Sequence, residues 1–185
     1  RRAARGMEAS LELSGYFGIA RRWWAVLVLS VALAAVGGYA VASELPKVYE
    51  GEVRVLVGPL NTDFDTQRAA GQLANTYAQL ATSRRVTDAV IQRLGVPMSS
   101  QDLVDAINAI PNDVTRLVTI RVQASDPTTA ANLANAIADE IGTLAAETQR
   151  PEGQTQVVDP AVPPKTPIAP QVLLIVMLAA FAGFL

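Results

Sequence analysis

The sequence predicts an α/β fold: a small mixed domain held between two transmembrane helices. Three observations lead there. The stretch Trp23–Ser43, WWAVLVLSVALAAVGGYAVAS, carries no charge, and at about 1.5 Å per residue it spans the roughly 30 Å hydrocarbon core of a bilayer. A second uncharged apolar run occupies Val172–Leu185. Between them, Val48–Gly58 and Val114–Ala124 alternate at the period of a strand, and their flanks repeat at helical spacing. The predicted order of the domain is β-α-α-α-β-α-β.

The first apolar stretch follows Arg21-Arg22, opens on Trp23-Trp24 and closes near Tyr39, before Glu44 and Lys47. Basic residues on one flank and aromatics at both ends predict a cytoplasmic N-terminus and an extracytoplasmic chain from Glu44 onward. A cleaved signal peptide is the competing reading, with Val41-Ala42-Ser43 as its site, and the second apolar run argues against it. Ahead of the span, Leu13, Phe17, Ala20 and Trp24 recur at helical spacing. They predict a short interfacial helix before the chain turns into the membrane, or else an irregular lead-in. Within the span, Ser30, Ala34, Gly38 and Ala42 fall four apart, a small-residue stripe against which another helix can pack; Gly183 is its candidate counterpart in the second run. That run is shorter than the ~20 residues of a spanning helix. It is expected to be the front of a second span, the 185 residues being a fragment of a longer chain. The expected segments are 1–22 cytoplasmic or interfacial, 23–43 transmembrane, 44–159 extracytoplasmic, 160–170 proline-rich and 171–185 transmembrane.

Inside the domain, Tyr49, Val53, Val55 and Val57 face one way on the first strand and Glu50, Glu52 and Arg54 the other. Gly58-Pro59 ends it. Asn61–Asp65 has oxygen ligands at alternate positions, but Thr66 and Gln72 stand where a calcium loop needs Gly and Glu, so a helix-capping turn is the better reading. Helical spacing runs from Asp65 to Leu94, broken at Thr82-Ser83, with Ser83 as N-cap, Gly95 as C-cap and Pro97 as stop. Ser99 and Asp102 form a capping box for a helix predicted over SSQDLVDAINAI. The second strand is predicted over Val114–Ala124, with Val114, Val118, Ile120 and Val122 on one face. Ser125-Asp126-Pro127 starts a helix to about Gln149. Its buried stripe is Ala130, Leu133, Ala134, Ile137, Ile141 and Leu144. Gln154–Asp159 is a third strand. After it, Pro160, Pro163, Pro164, Pro167 and Pro170 impose an extended, stiff segment.

Composition narrows the chemistry. Half the residues are hydrophobic and 5% aromatic, a balance that suits a membrane-anchored domain better than a soluble enzyme. A net charge of -2 gives no footprint for nucleic acid. Without cysteine there is no disulfide framework or thiolate metal site, and without histidine the commonest general base and metal ligand are missing. No catalytic, cofactor-binding or metal-binding residues are expected. Arg84 and Arg85 are candidates for contact with an anionic glycan or lipid, against the alternative of a solvated basic pair.

Several runs together resemble one family. They are Tyr16-Phe17, Arg21–Trp24, Tyr49-Glu50-Gly51-Glu52-Val53, Leu94-Gly95-Val96, Leu117–Val122 with Ser125-Asp126-Pro127, Ala130–Ala136, and Val158-Asp159-Pro160-Ala161-Val162-Pro163-Pro164. In this order the chain resembles the chain-length determinants. These are Wzz-type polysaccharide co-polymerases that sit beside a Wzy-type polymerase in bacterial capsule, exopolysaccharide and O-antigen export. Its short external part is similar to the compact capsule-kinase activators, or to the front of a bacterial tyrosine kinase. Ala169-Pro170 departs from the family's Ser-Pro entry to the second helix, and of the glycine series expected there only Gly183 is present.

The resemblance implies a non-catalytic scaffold in the bacterial plasma membrane, forming a homo-oligomeric ring and regulating the length of a lipid-linked polysaccharide. A cytoplasmic tyrosine kinase is the implied partner, and since no GK[ST] loop occurs it would lie after residue 185 or on another chain. The alternative is a two-helix membrane sensor for an external ligand.

Overall fold

The computed structural model describes residues 2–58, 64–147 and 154–184. They divide into two compact units, Arg1–Leu45 with Pro170–Leu185, and Pro46–Ala169.

The first unit begins with α1 (Arg2–Glu44), one unbroken helix. The turn expected before Trp23 is absent. No proline lies between Arg2 and Glu44, and the glycines at 15 and 18 weaken a helix without ending it. The side chains of Leu13, Phe17 and Ala20 lie outside the described residues.

The second unit opens on β1 (Tyr49–Val57), followed by α2 (Phe64–Ala81), α3 (Arg84–Leu94) and α4 (Ser100–Ala106). Next come β2 (Ile107–Asn112), β3 (Leu117–Ala124), α5 (Pro127–Glu147) and β4 (Thr155–Asp159). The chain returns to the first unit with α6 (Val172–Phe184). The domain order is therefore β-α-α-α-β-β-α-β. Strand β2 was expected to be the end of a helix. Pro111 explains the difference, because it removes a helical N–H and pushes Ile110 into extended backbone. The next strand is correspondingly shorter than expected: Val114 lies in the hairpin turn, 87% exposed. There the Asn112 side chain accepts from the Thr115 N–H at 2.9 Å and Arg116 takes a positive φ of 57°. Asn61–Asp63 and Gln149 lie outside the described residues, while Phe64 and Asp65 already belong to α2.

The four strands lie in the order β2-β3-β1-β4, every neighbouring pair antiparallel. Strand β3 is thus inserted between the parallel β1 and β2, and β1 between the parallel β3 and β4. This is the split β-α-β arrangement, with its helices on one face. On that face the register stacks Ile107, Val122 and Gly51, then Ala109, Ile120 and Val53, then Pro111, Val118 and Val55. Val53, Val57, Ile120 and Val122 are fully buried there with Leu133 and Ile137 of α5 and Val86 and Val90 of α3.

Gly51 lets α5 come close. A β-carbon there would overlap the Ala130 carbonyl and lie 2.8 Å from the Ala131 nitrogen. The alanines along α5 make the same approach possible from the other side, since Ala130, Ala131, Ala134 and Ala138 are all buried.

Caps set the helix boundaries. Ser99 and Asp102 form the reciprocal capping box of α4. Asp126 accepts from the Thr129 N–H at 2.7 Å and starts α5. Gly95, at φ 62°, closes α3 by donating its N–H to the Ile91 carbonyl at 2.8 Å. Ser83 occupies the N-cap position of α3, but its hydroxyl donates backwards to the Leu80 carbonyl at 2.7 Å and does not cap.

Candidate functional site

The proline-rich segment is the part of the domain least able to hold itself, and it is held at both ends. Proline has no N–H and cannot continue a ladder, so the pairing of β4 stops at Asp159. Two residues on, the Asn135 side chain of α5 takes over. Its Oδ1 accepts from the Ala161 N–H at 2.8 Å, and its Nδ2 donates to the Ala161 carbonyl at 2.9 Å. Ala161 is only 6% exposed, whereas Pro160, Val162 and Pro163 on either side face solvent. At the far end Val48, just before β1, donates to the Ala169 carbonyl at 3.0 Å and accepts from the Ile168 N–H at 2.8 Å. Between these points run the six residues Val162–Pro167, three of them proline. Pro170 begins the chain's return to α6.

Among the described residues no helix covers the opposite face of the sheet, whose centre is polar. Glu52 sits at its centre, taking the Arg121 Nε at 2.9 Å on one carboxylate oxygen and Arg54 on the other, at 2.9 Å from Nε and 2.7 Å from Nη2. Arg121 also lies 3.7 Å from Glu50. Burial pushes the Glu52 carboxyl up, but the hydrogen bonds and charges of Arg121 and Arg54 outweigh it and hold Glu52 below its ordinary value. The array is neutral as a whole, which is how like charges at 50 and 52 come to share one strand.

Arg84 and Arg85 stand at the start of α3. Arg84 reaches Gln101 at 3.3 Å and Arg85 pairs with Glu147 at 3.3 Å, both side-chain contacts exposed. Among the described residues no group of three or more His, Cys, Asp or Glu could hold a metal ion.

In the first unit the small-residue stripe of α1 faces α6. A β-carbon on Gly38 would lie 2.6 Å from that of Ala179, and one on Gly183 would lie 2.7 Å from that of Ala34. Ser30 donates to the Gly183 carbonyl at 2.8 Å, and Ala42 is 1% exposed. Large apolar side chains cover the remaining sides, Leu33, Val36, Leu173, Leu178 and Phe181 among them, each more than 60% exposed. Trp23–Glu44 is long and apolar enough to cross a membrane, and α6 is a shorter apolar helix of 13 residues.

Residues 10–94 match the family described as Wzz, chain length determinant protein. Over these residues the chain is similar to the Wzz type. The match takes in most of α1 with β1, α2 and α3, and stops before the strap of prolines. Over 125 residues, 65% of its length, the chain is also 30% identical to the probable capsular polysaccharide biosynthesis protein YwqC of Bacillus subtilis strain 168. It spans about half the length of that relative, 50%.

Asn135 is the functional candidate that sequence reasoning missed. It lies within Ala130–Ala136, one of the runs that carry the family resemblance, but neither periodicity nor composition distinguishes a clamping asparagine from a solvated one.

Proposed function

We propose that the chain is a non-catalytic membrane scaffold that regulates the chain length of a bacterial surface polysaccharide. The observation that carries this is the match of residues 10–94 to the chain length determinants, and the likeness to a capsular polysaccharide biosynthesis protein supports it. On this reading α1 and α6 lie side by side in the plasma membrane, packed through the Ser30–Ala42 stripe and Gly183, with their exposed apolar side chains in lipid. The N-terminus is cytoplasmic, beside Arg21-Arg22, and Pro46–Ala169 is extracytoplasmic. The domains pack side by side as a homo-oligomeric ring next to a Wzy-type polymerase and bias when extension of a lipid-linked glycan stops. Arg84 and Arg85 offer exposed guanidinium groups to an anionic glycan or headgroup. The prolines at 160, 163, 164, 167 and 170 act as a stiff strut that carries the state of the domain to α6 and on to a cytoplasmic tyrosine kinase.

The test is a deletion strain complemented with the full-length protein, its surface polysaccharide resolved by size. Deletion is expected to broaden or shift the length distribution, and complementation to restore it. An unchanged distribution in the deletion strain would sink the reading.

A further inference from the structure

The strap has one anchor that its own sequence cannot supply. Between Pro160 and Pro164 only Ala161 and Val162 carry an N–H, and a run of this kind has no internal hydrogen bonds and no ladder to join. A neighbouring strand would satisfy Ala161 by offering one acceptor and one donor. The carboxamide of Asn135 offers that same pair, 2.8 Å from the nitrogen and 2.9 Å from the oxygen.

We infer that Asn135 is the positioning residue of the strap: its side chain takes the place of the absent strand and fixes where the proline segment leaves the domain. This rests on the reading of that segment as the coupling element. The anchor is placed on α5, the helix that packs on β1 through Gly51, so a shift of α5 against the sheet is passed straight to Ala161. Val48 holds the other end through Ile168 and Ala169. The length of free strap is therefore set by two contacts, one of them a single side chain. Loss of Asn135 lengthens the free run backwards to Asp159 and uncouples α5 from it.

The experiment compares the full-length protein with Asn135→Ala and Ile141→Val, in detergent and in cells. Alanine is the better helix former, so α5 is retained in Asn135→Ala. Ile141→Val removes one buried methyl group from the same helix without touching the strap, and it controls for loss of stability. Hydrogen exchange of a peptide covering 158–164 reads the Ala161 amide beside only the exposed one of Val162, because prolines contribute no amide. Asn135→Ala is expected to speed exchange at Ala161 about tenfold and to change the polysaccharide length distribution, with Ile141→Val leaving both as in the unaltered protein. Unchanged protection of Ala161 in Asn135→Ala would overturn the inference. So would fast exchange with unaltered polymer length, or an equal change of length in Ile141→Val. If deletion of the whole chain leaves polymer length unaltered, the functional reading fails instead, and the anchor stands or falls on the exchange alone.

Discussion

Two carboxylates illustrate how single residues tie this domain to pH. Glu52 is pushed up by burial but held below its ordinary value by Arg121 and Arg54. Asp126 is held below its own, first by the Thr129 backbone N–H and then by the Thr129 hydroxyl. A carboxylate whose folded pKa is depressed contributes stability that is fully present above its unfolded pKa and is lost as pH falls through the folded one. The melting temperature is therefore expected to hold at neutral pH and to fall on acidification below about pH 4. Asp126→Ala and Glu52→Gln should each lower it at neutral pH and flatten the acid decline. A decline as steep in the double variant as in the parent would assign acid sensitivity to other groups. Asp126 was legible in advance, because a capping side chain before proline has one common use. Glu52 was legible only as polar, since its partner Arg121 stands 69 positions away in sequence and is brought opposite by strand register.

At the scale of elements, periodicity located β1, α3 and α5 well, because each repeats over enough residues to reveal its buried side. It failed at β2. Six residues following directly on a capped helix continue that helix's apolar spacing, and only Pro111 argues otherwise. The single long α1 was also missed, since a change in composition at Trp23 is not a change in backbone. Gly51 shows what pattern alone leaves out: it reads as a weak point in a strand, yet it is the place where α5 touches the sheet. Its backbone is ordinary, so the constraint is space. Gly51→Val is expected to cost about 2 kcal/mol of stability through overpacking, measured by denaturant unfolding. A loss near zero would mean that α5 moves aside freely.

For the whole molecule, the first apolar run was legible as a helix long and apolar enough to cross a membrane, and the ordered set of short motifs pointed to the chain length determinants before any geometry was known. Topology was not legible, because a split arrangement pairs β1 with β3 and β4 across long stretches of chain that no local pattern records. The coupling proposal makes its own demand at this scale. Replacing Pro163, Pro164, Pro167 and Pro170 together with alanine should soften the strut and shift polysaccharide length while the protein still enters the membrane. An unaltered length would remove the strut from the mechanism.

The bridge between Val48 and Ala169 has a mechanical consequence. It joins the residue that precedes the first strand to one that follows the last, so the domain is a loop closed at its neck by backbone hydrogen bonds, two of them at 3.0 and 2.8 Å and a longer one at 3.5 Å. Tension on the two flanking segments would open this antiparallel pair like a zipper, one bond at a time, before it loaded the sheet. The neck is thus a weak link in series with a strong body: it yields first, pays out the strap as far as Asn135, and leaves the four strands unstretched.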